Sequence, residues 1–167
     1  DRQDTYIVPQ LLTREQPDYA WDEADNLLLR YSYDFMPKGI VWQFMVVMHR
    51  FIGDQECAWR GGVVLEAEQT QAEVIEKYGL RRIEIRVSGQ NKRDLLTRVR
   101  HELEKIHHQY PGLKYNELIP CNCDTCRDSQ EPHFYKFDNP YFPLKLVNIK
   151  LDLVRFWLKT IYKPVFY

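Results

Sequence analysis

Cysteine is scarce in this chain and bunched where it occurs: of four, three fall within positions 121–126. A secreted domain stapled by disulfides distributes its cysteines more widely, so that class is excluded and a reducing, cytoplasmic setting is expected. An excess of either charge is missing too, with 23 basic against 24 acidic side chains and a formal net charge of -1. So balanced a surface has little pull on a phosphate backbone, and nucleic acid is not an expected partner. No uninterrupted apolar run approaches the ~20 residues that span a bilayer, so no membrane partner is expected. The chain lacks a G-x-x-x-x-G-K-[ST] phosphate loop, a G-x-S-x-G elbow and an H-E-x-x-H pair. Its one close glycine pair, Gly61-Gly62, lies in strand-like sequence with no lysine and hydroxyl after it. The start, Asp1-Arg2-Gln3-Asp4, is neither a methionine start nor a signal peptide, and suggests a piece of a longer protein.

What is present suits one globular domain with an appendage: 167 residues, 44% apolar and 14% aromatic. Tyr6 to Leu12 reads as a short strand, with Pro9 placing it at an edge or a bulge. Thr13 to Asp25 is an acidic loop. Leu27, Leu29, Tyr31 and Tyr33 alternate with polar residues, the period of a half-buried strand. Ile40 to Ile52 is apolar nearly all round and predicts a buried helix. Trp59 and Val63 to Glu68 predict a hairpin or bulged pair around Gly61-Gly62, whose positive φ the turn would use. Ala72 to Tyr78 is a weaker strand, and Ile83, Ile85 and Val87 mark a clear one. After a turn at Ser88-Gly89-Gln90, Asn91 is placed to cap a helix with Asp94 in the capping-box position. Leu95, Leu96, Val99, Leu103 and Ile106 form its inner stripe, and Pro111-Gly112 closes it. Leu146 to Tyr162 fits strand and helix alike. The predicted fold class is α+β: a mostly antiparallel sheet against two main helices, with a Cys-containing C-terminal extension. The expected division is a subdomain over 1–120 and a Cys-rich loop with extension over 121–167.

The cysteine cluster carries the clearest chemistry. Cys121, Cys123 and Cys126 can share one zinc ion, with His133 as fourth ligand, because C-x-x-C loops bring two sulfurs to one metal. Three reduced thiols in a surface loop, or a regulatory disulfide, fit the same spacing. Cys57 with a histidine such as His49 has the residue types of a nucleophile and base, but nothing in the sequence positions the pair, and a half-buried hairpin residue is the simpler reading. His107-His108 ends the second helix, where cations favour the helix dipole. Arg81-Arg82 reads as a charged guard on a sheet edge. Two aromatic groups are candidate dimer anchors: Trp59 and Arg60 with Val63 to Leu65, and Phe134, Tyr135 and Phe137. For Trp59, packing onto the sheet is the alternative.

Met36-Pro37-Lys38-Gly39-Ile40, then Phe44 and Met48-His49-Arg50, resemble the COR domain of Roco proteins. So does Trp59-Arg60-Gly61-Gly62-Val63-Val64-Leu65-Glu66. The strand at Arg82–Val87, the helix from Asp94 to Tyr110 and the segment Glu117 to Cys121 fit the same spacing, and the likeness runs from residue 6 to about 137. Ile119-Pro120-Cys121 with Phe134-Tyr135 looks like prokaryotic members; the tail after Asn139 matches no part of the family. The resemblance implies the C-terminal half of a COR domain, a non-catalytic scaffold that forms homodimers. Its implied partners are the Ras-like Roc GTPase and the helical N-terminal half of COR. GTP and magnesium would be bound by Roc, and no cofactor besides the possible zinc is expected here. Phe35, Met36 and Pro37 would lie near the GTPase contact, with ordinary core packing as the alternative. An adaptor stabilised by zinc and unrelated to a GTPase is the competing reading.

Overall fold

A computed structural model describes residues 6–53, 57–121, 123–127 and 132–136. The elements run β1 (Leu27–Tyr33), α1 (Ile40–Val47), β2 (Ala58–Trp59), β3 (Gly62–Ala67), β4 (Thr70–Lys77), β5 (Arg82–Gly89), α2 (Lys92–His108), β6 (Tyr115–Pro120), α3 (Asp124–Arg127) and β7 (Phe134–Lys136). The strands form one sheet in the order β2-β3-β4-β5-β1-β6-β7, every neighbouring pair antiparallel. The α+β class expected from the sequence is therefore the one observed. Among the described residues no helix is long and apolar enough to cross a membrane. Phe137 and the ambiguous stretch from Leu146 to Tyr162 lie outside the described residues.

The first strand to form in sequence ends up inside the sheet. β1 pairs with β5 on one side and β6 on the other. Two strands antiparallel to the same neighbour are parallel to each other, so β5 and β6 need a long crossover, which α2 supplies.

Period-two alternation sets the faces. Leu27, Leu29, Tyr31 and Tyr33 are buried on β1, Ile83, Ile85 and Val87 on β5. The register sets Leu29 beside Ile85, and Ile85 beside Val74 of β4. This face packs with Ile40, Val41, Phe44 and Met45 of α1 and with Leu95, Leu96, Val99, Leu103 and Ile106 of α2 in one core. All five predicted stripe residues of α2 are in it.

Several local expectations are corrected. Pro9–Leu11 is a 3-10 turn, not a strand. The carbonyls around it are taken by Arg60, whose Nε donates to Pro9 O and Leu12 O at 3.1 and 3.0 Å. α1 stops at Val47, then gives way to a 3-10 turn, His49–Phe51. Ile52 is drawn into an antiparallel bridge with Leu65, which a continuing helix could not make. Neither Gly61 nor Gly62 has positive φ. Gly62 is needed for a close approach: a Cβ there would lie 2.6 Å from the Trp59 ring and 2.8 Å from Val74 O. Asn91 occupies the N-cap of α2 without a side-chain capping bond. Its own N–H donates to Thr70 Oγ1 at 3.0 Å. Arg82 does not guard an edge, because β5 lies between β4 and β1; Arg81 adopts a left-handed turn and donates to Asp34 O.

Phe44 is fully buried between the sheet and α2. Phe44→Ala should cost about 3–5 kcal/mol of stability in denaturant melts, as large core truncations do. A loss below about 1 kcal/mol would place this face outside the core.

Candidate metal centre and interaction faces

The thiol cluster sits at the root of the β6–β7 hairpin. β6 ends at Pro120, and the next N–H, that of Cys121, donates to His133 O at 2.6 Å. The short α3 turns the chain so that Cys126 returns to Cys121. The sulfurs of Cys121, Cys123 and Cys126 all lie within 4.8 Å of one another. His133 Nδ1 is 3.5 Å from Cys126 Sγ. Cys121 and Cys126 are buried, and all three are free thiols. A hydrogen bond from the Cys126 backbone N–H, then one with the Cys121 side chain, lowers the Cys123 thiol to about 7. Three such thiols could hold a metal ion. Cys121, Cys123 and Cys126 are thus brought together, and His133 lies beside Cys126. Cys57, by contrast, stays half-buried beside β2, and His49 is exposed with Nδ1 paired to Val46 O.

Among the described residues, the second face of the sheet carries no helix. Its middle is an ion-pair lattice: Glu84 bonds Arg30 and Lys77, each at 2.9 Å, with Arg82 at 3.5 Å. Burial would raise the Glu84 carboxyl, but Lys77, Arg30 and Arg82 hold it below the usual carboxylate range. Phe134 covers the Arg30 guanidinium, 3.8 Å from its ring centroid. Together with Leu28, Ile75 and Pro132 these side chains border a groove of about 270 Å³. The β2 side of the face is closed instead. Tyr19 stacks on Trp59, donates to Glu73 and sits beside Trp21, which covers Arg86. Trp59 is only 3% exposed. Sequence reasoning did not find this strap, because its residues lie in a segment with no periodicity.

The third candidate surface is the turn into α1. Phe35 is 82% exposed while Met36 beside it is 3% exposed and part of the core. Phe35 and Pro37 border a shallow apolar hollow of about 380 Å³ with Tyr110, Pro111 and Leu113.

The sequence profile of the COR-B domain, described as C-terminal of Roc, matches residues 24–146. That match covers most of the chain and takes in every strand. The chain belongs to the COR-B family. A protein of Dictyostelium discoideum named "Probable serine/threonine-protein kinase roco5" is 25% identical over 132 residues, 72% of this chain. The chain spans only 5% of that relative's length.

Inside the COR-B fold, α2 and β6 bury a polar network. Tyr31 Oη lies 3.0 Å from Glu117 and 3.3 Å from Glu104, and the Tyr115 hydroxyl donates to Glu104 at 2.5 Å. Arg100 Nε donates to Glu117 at 2.9 Å. The Tyr33 hydroxyl is 2.6 Å from His107 Nε2. Burial first, then the hydrogen bond with Glu104, pushes Glu117 up to about 7. Burial drives His107 down to about 4. His107 is therefore a neutral ring packed on Tyr31, Tyr33 and Tyr115, not the dipole-paired cation expected at a helix end. The signal was present: Arg100, Glu104 and His107 recur at helical spacing, opposite two tyrosines on the inward face of β1.

Opposite signs follow for stability. The unfolded imidazole takes a proton below about pH 6.5 that the folded one refuses, so the His107 contribution is lost as pH falls toward 4. Glu117 contributes most below about 4.5 and loses it as pH rises through 7. Between these limits the slopes oppose each other. Glu117→Gln should expose the first, with stability falling on the order of 2 kcal/mol from pH 6.5 to 4.5. His107→Gln should expose the second, with stability falling as pH rises from 4.5 to 7. Urea melts across this range read both; parallel profiles for the two variants would refute the assignment.

Proposed function

We propose that this COR-B domain is a non-catalytic scaffolding and dimerisation module of a Roco protein, coupling homodimerisation to the GTPase cycle of an adjacent Roc domain. The observation that carries the reading is the COR-B match across all seven strands. An adaptor unrelated to a GTPase fits that match poorly. Symmetric homodimers present one patch twice around a two-fold axis, and such a patch needs apolar anchors beside polar groups that can be paired. The open face near Phe134 meets both needs, with Leu28 and Ile75 beside the alternating charges of Arg30, Lys77 and Glu84. Trp59 and Arg60 are engaged by the chain's own N-terminal segment, so the Phe134 side is the favoured dimer patch. Phe35, with the hollow behind it, suits the Roc contact, and Met36 anchors that turn in the core. On this reading the thiol cluster is a structural zinc centre: four protein donors fill a tetrahedral shell and leave no open position for catalysis.

The module should self-associate reversibly, with a monomer–dimer balance that shifts with concentration and shifts further when Roc is attached. Sedimentation at several concentrations decides the matter. A strict monomer up to about millimolar, the weak end of the affinity scale, would remove dimerisation from the account. In a longer chain containing Roc, Phe35→Cys should weaken the contact between the domains. Unchanged hydrogen exchange at the Roc boundary would separate Phe35 from it.

A further inference from the structure

We propose that a zinc ion on Cys121, Cys123, Cys126 and His133 is the clasp that forms the β6–β7 hairpin, so that metal loading builds the Phe134 wall of the open-face groove. This rests on the zinc reading of the thiol cluster given above.

β7 is poorly supported by its own bonds. It has three residues and pairs with β6 through Leu118–Lys136, Ile119–Tyr135 and Pro120–Phe134, with one further backbone bond at the root from Cys121 N–H to His133 O. Short terminal strands with so few bonds are marginal in water. Against this stands the cost of closing the loop between the strands, which grows with the logarithm of its length. A cross-link at the root removes most of that cost, and the candidate ligands lie at the root. Cys121 follows the last residue of β6 and His133 precedes the first residue of β7.

The Cys126–His133 edge has the length the ion needs, and the three sulfurs lie close enough to converge on it. With Zn–S about 2.3 Å and Zn–N about 2.0–2.1 Å, the S···N edge of a tetrahedron is about 3.5–3.6 Å and the S···S edge about 3.8 Å. Cys126 Sγ and His133 Nδ1 are 3.5 Å apart, and the three sulfurs lie within 4.8 Å of one another. Binding exchanges thiol protons for metal–sulfur bonds, with no change of oxidation state. The consequence reaches the open face because Phe134 is the next residue after His133. Its ring packs on Arg30, and Pro132 and Phe134 close one side of the groove. Apart from the clasp, that wall is held by three strand pairs, the Cys121 N–H to His133 O bond and the Phe134–Arg30 contact.

The test uses the whole chain, stripped with a chelator and then titrated with zinc against a chromophoric competitor. Hydrogen exchange is followed at Cys121 and at 134–136, with β5 as an internal reference for an intact core. One zinc per chain should bind at submicromolar concentration. Exchange over 134–136 should slow at least tenfold on loading, while β5 stays unchanged. His133→Ala should keep the β5 protection and lose that of 134–136, even where the three thiolates still retain metal. Absence of zinc binding at micromolar concentration would overturn both the zinc reading and the clasp. Zinc binding with identical exchange over 134–136 would overturn the clasp and leave the zinc reading standing.

Discussion

A sheet has two faces, and among the described residues of this protein the helices cover only one. That constraint shapes the rest of the molecule. On the covered face, alternation along β1, β4 and β5 delivers a continuous apolar layer to α1 and α2, and burial of that layer is the main favourable term in folding. On the other face the same alternation projects Arg30, Glu73, Glu84 and Arg86, which must be paired because they are partly withdrawn from water. The chain solves this with a charge lattice in the middle, an aromatic strap over the β2 side and Phe134 over Arg30 on the other.

The two ends of the open face differ in how they are finished. Towards β2, Tyr19 and Trp21 seal Trp59 and Arg86, so that end belongs to the fold. Towards β7, the cover is a short strand with the thiol cluster at its root, and among the described residues the groove beside it is open. A scaffold with one sealed and one adjustable end can offer an interface whose shape depends on a small local event, here the closing of the hairpin loop. Phe35 lies on the turn into α1, away from that groove, so the proposed contacts to a GTPase and to a second copy need not compete.

Much of this was legible in the sequence where one residue type does one job. The alternation of Leu27 to Tyr33 and of Ile83 to Val87 gave both central strands, and the stripe from Leu95 to Ile106 gave α2 with its inner face. Spacing also pointed to Cys121, Cys123 and Cys126, whose sulfurs the fold brings together. What was not legible depends on partners distant in the chain. Pro9–Leu11 is a turn because Arg60 collects its carbonyls. α1 ends early because Ile52 has a strand to join. The β3–β4 turn uses Glu68 and Gln69 at positive φ, where glycine or asparagine would have announced it. His107 reads as a surface cation until Tyr33 and Tyr115 are placed around it.

The central claim is that the groove bordered by Phe134 is where one copy meets another. An isotope-filtered NOE spectrum of a mixture of labelled and unlabelled chains, zinc-loaded and concentrated, tests it most directly. The account predicts intermolecular NOEs to Leu28, Ile75 and Phe134, and none to the exposed side of α2. Intermolecular NOEs confined to α1 and α2, or none to the groove at a concentration where the chain is dimeric, would contradict it.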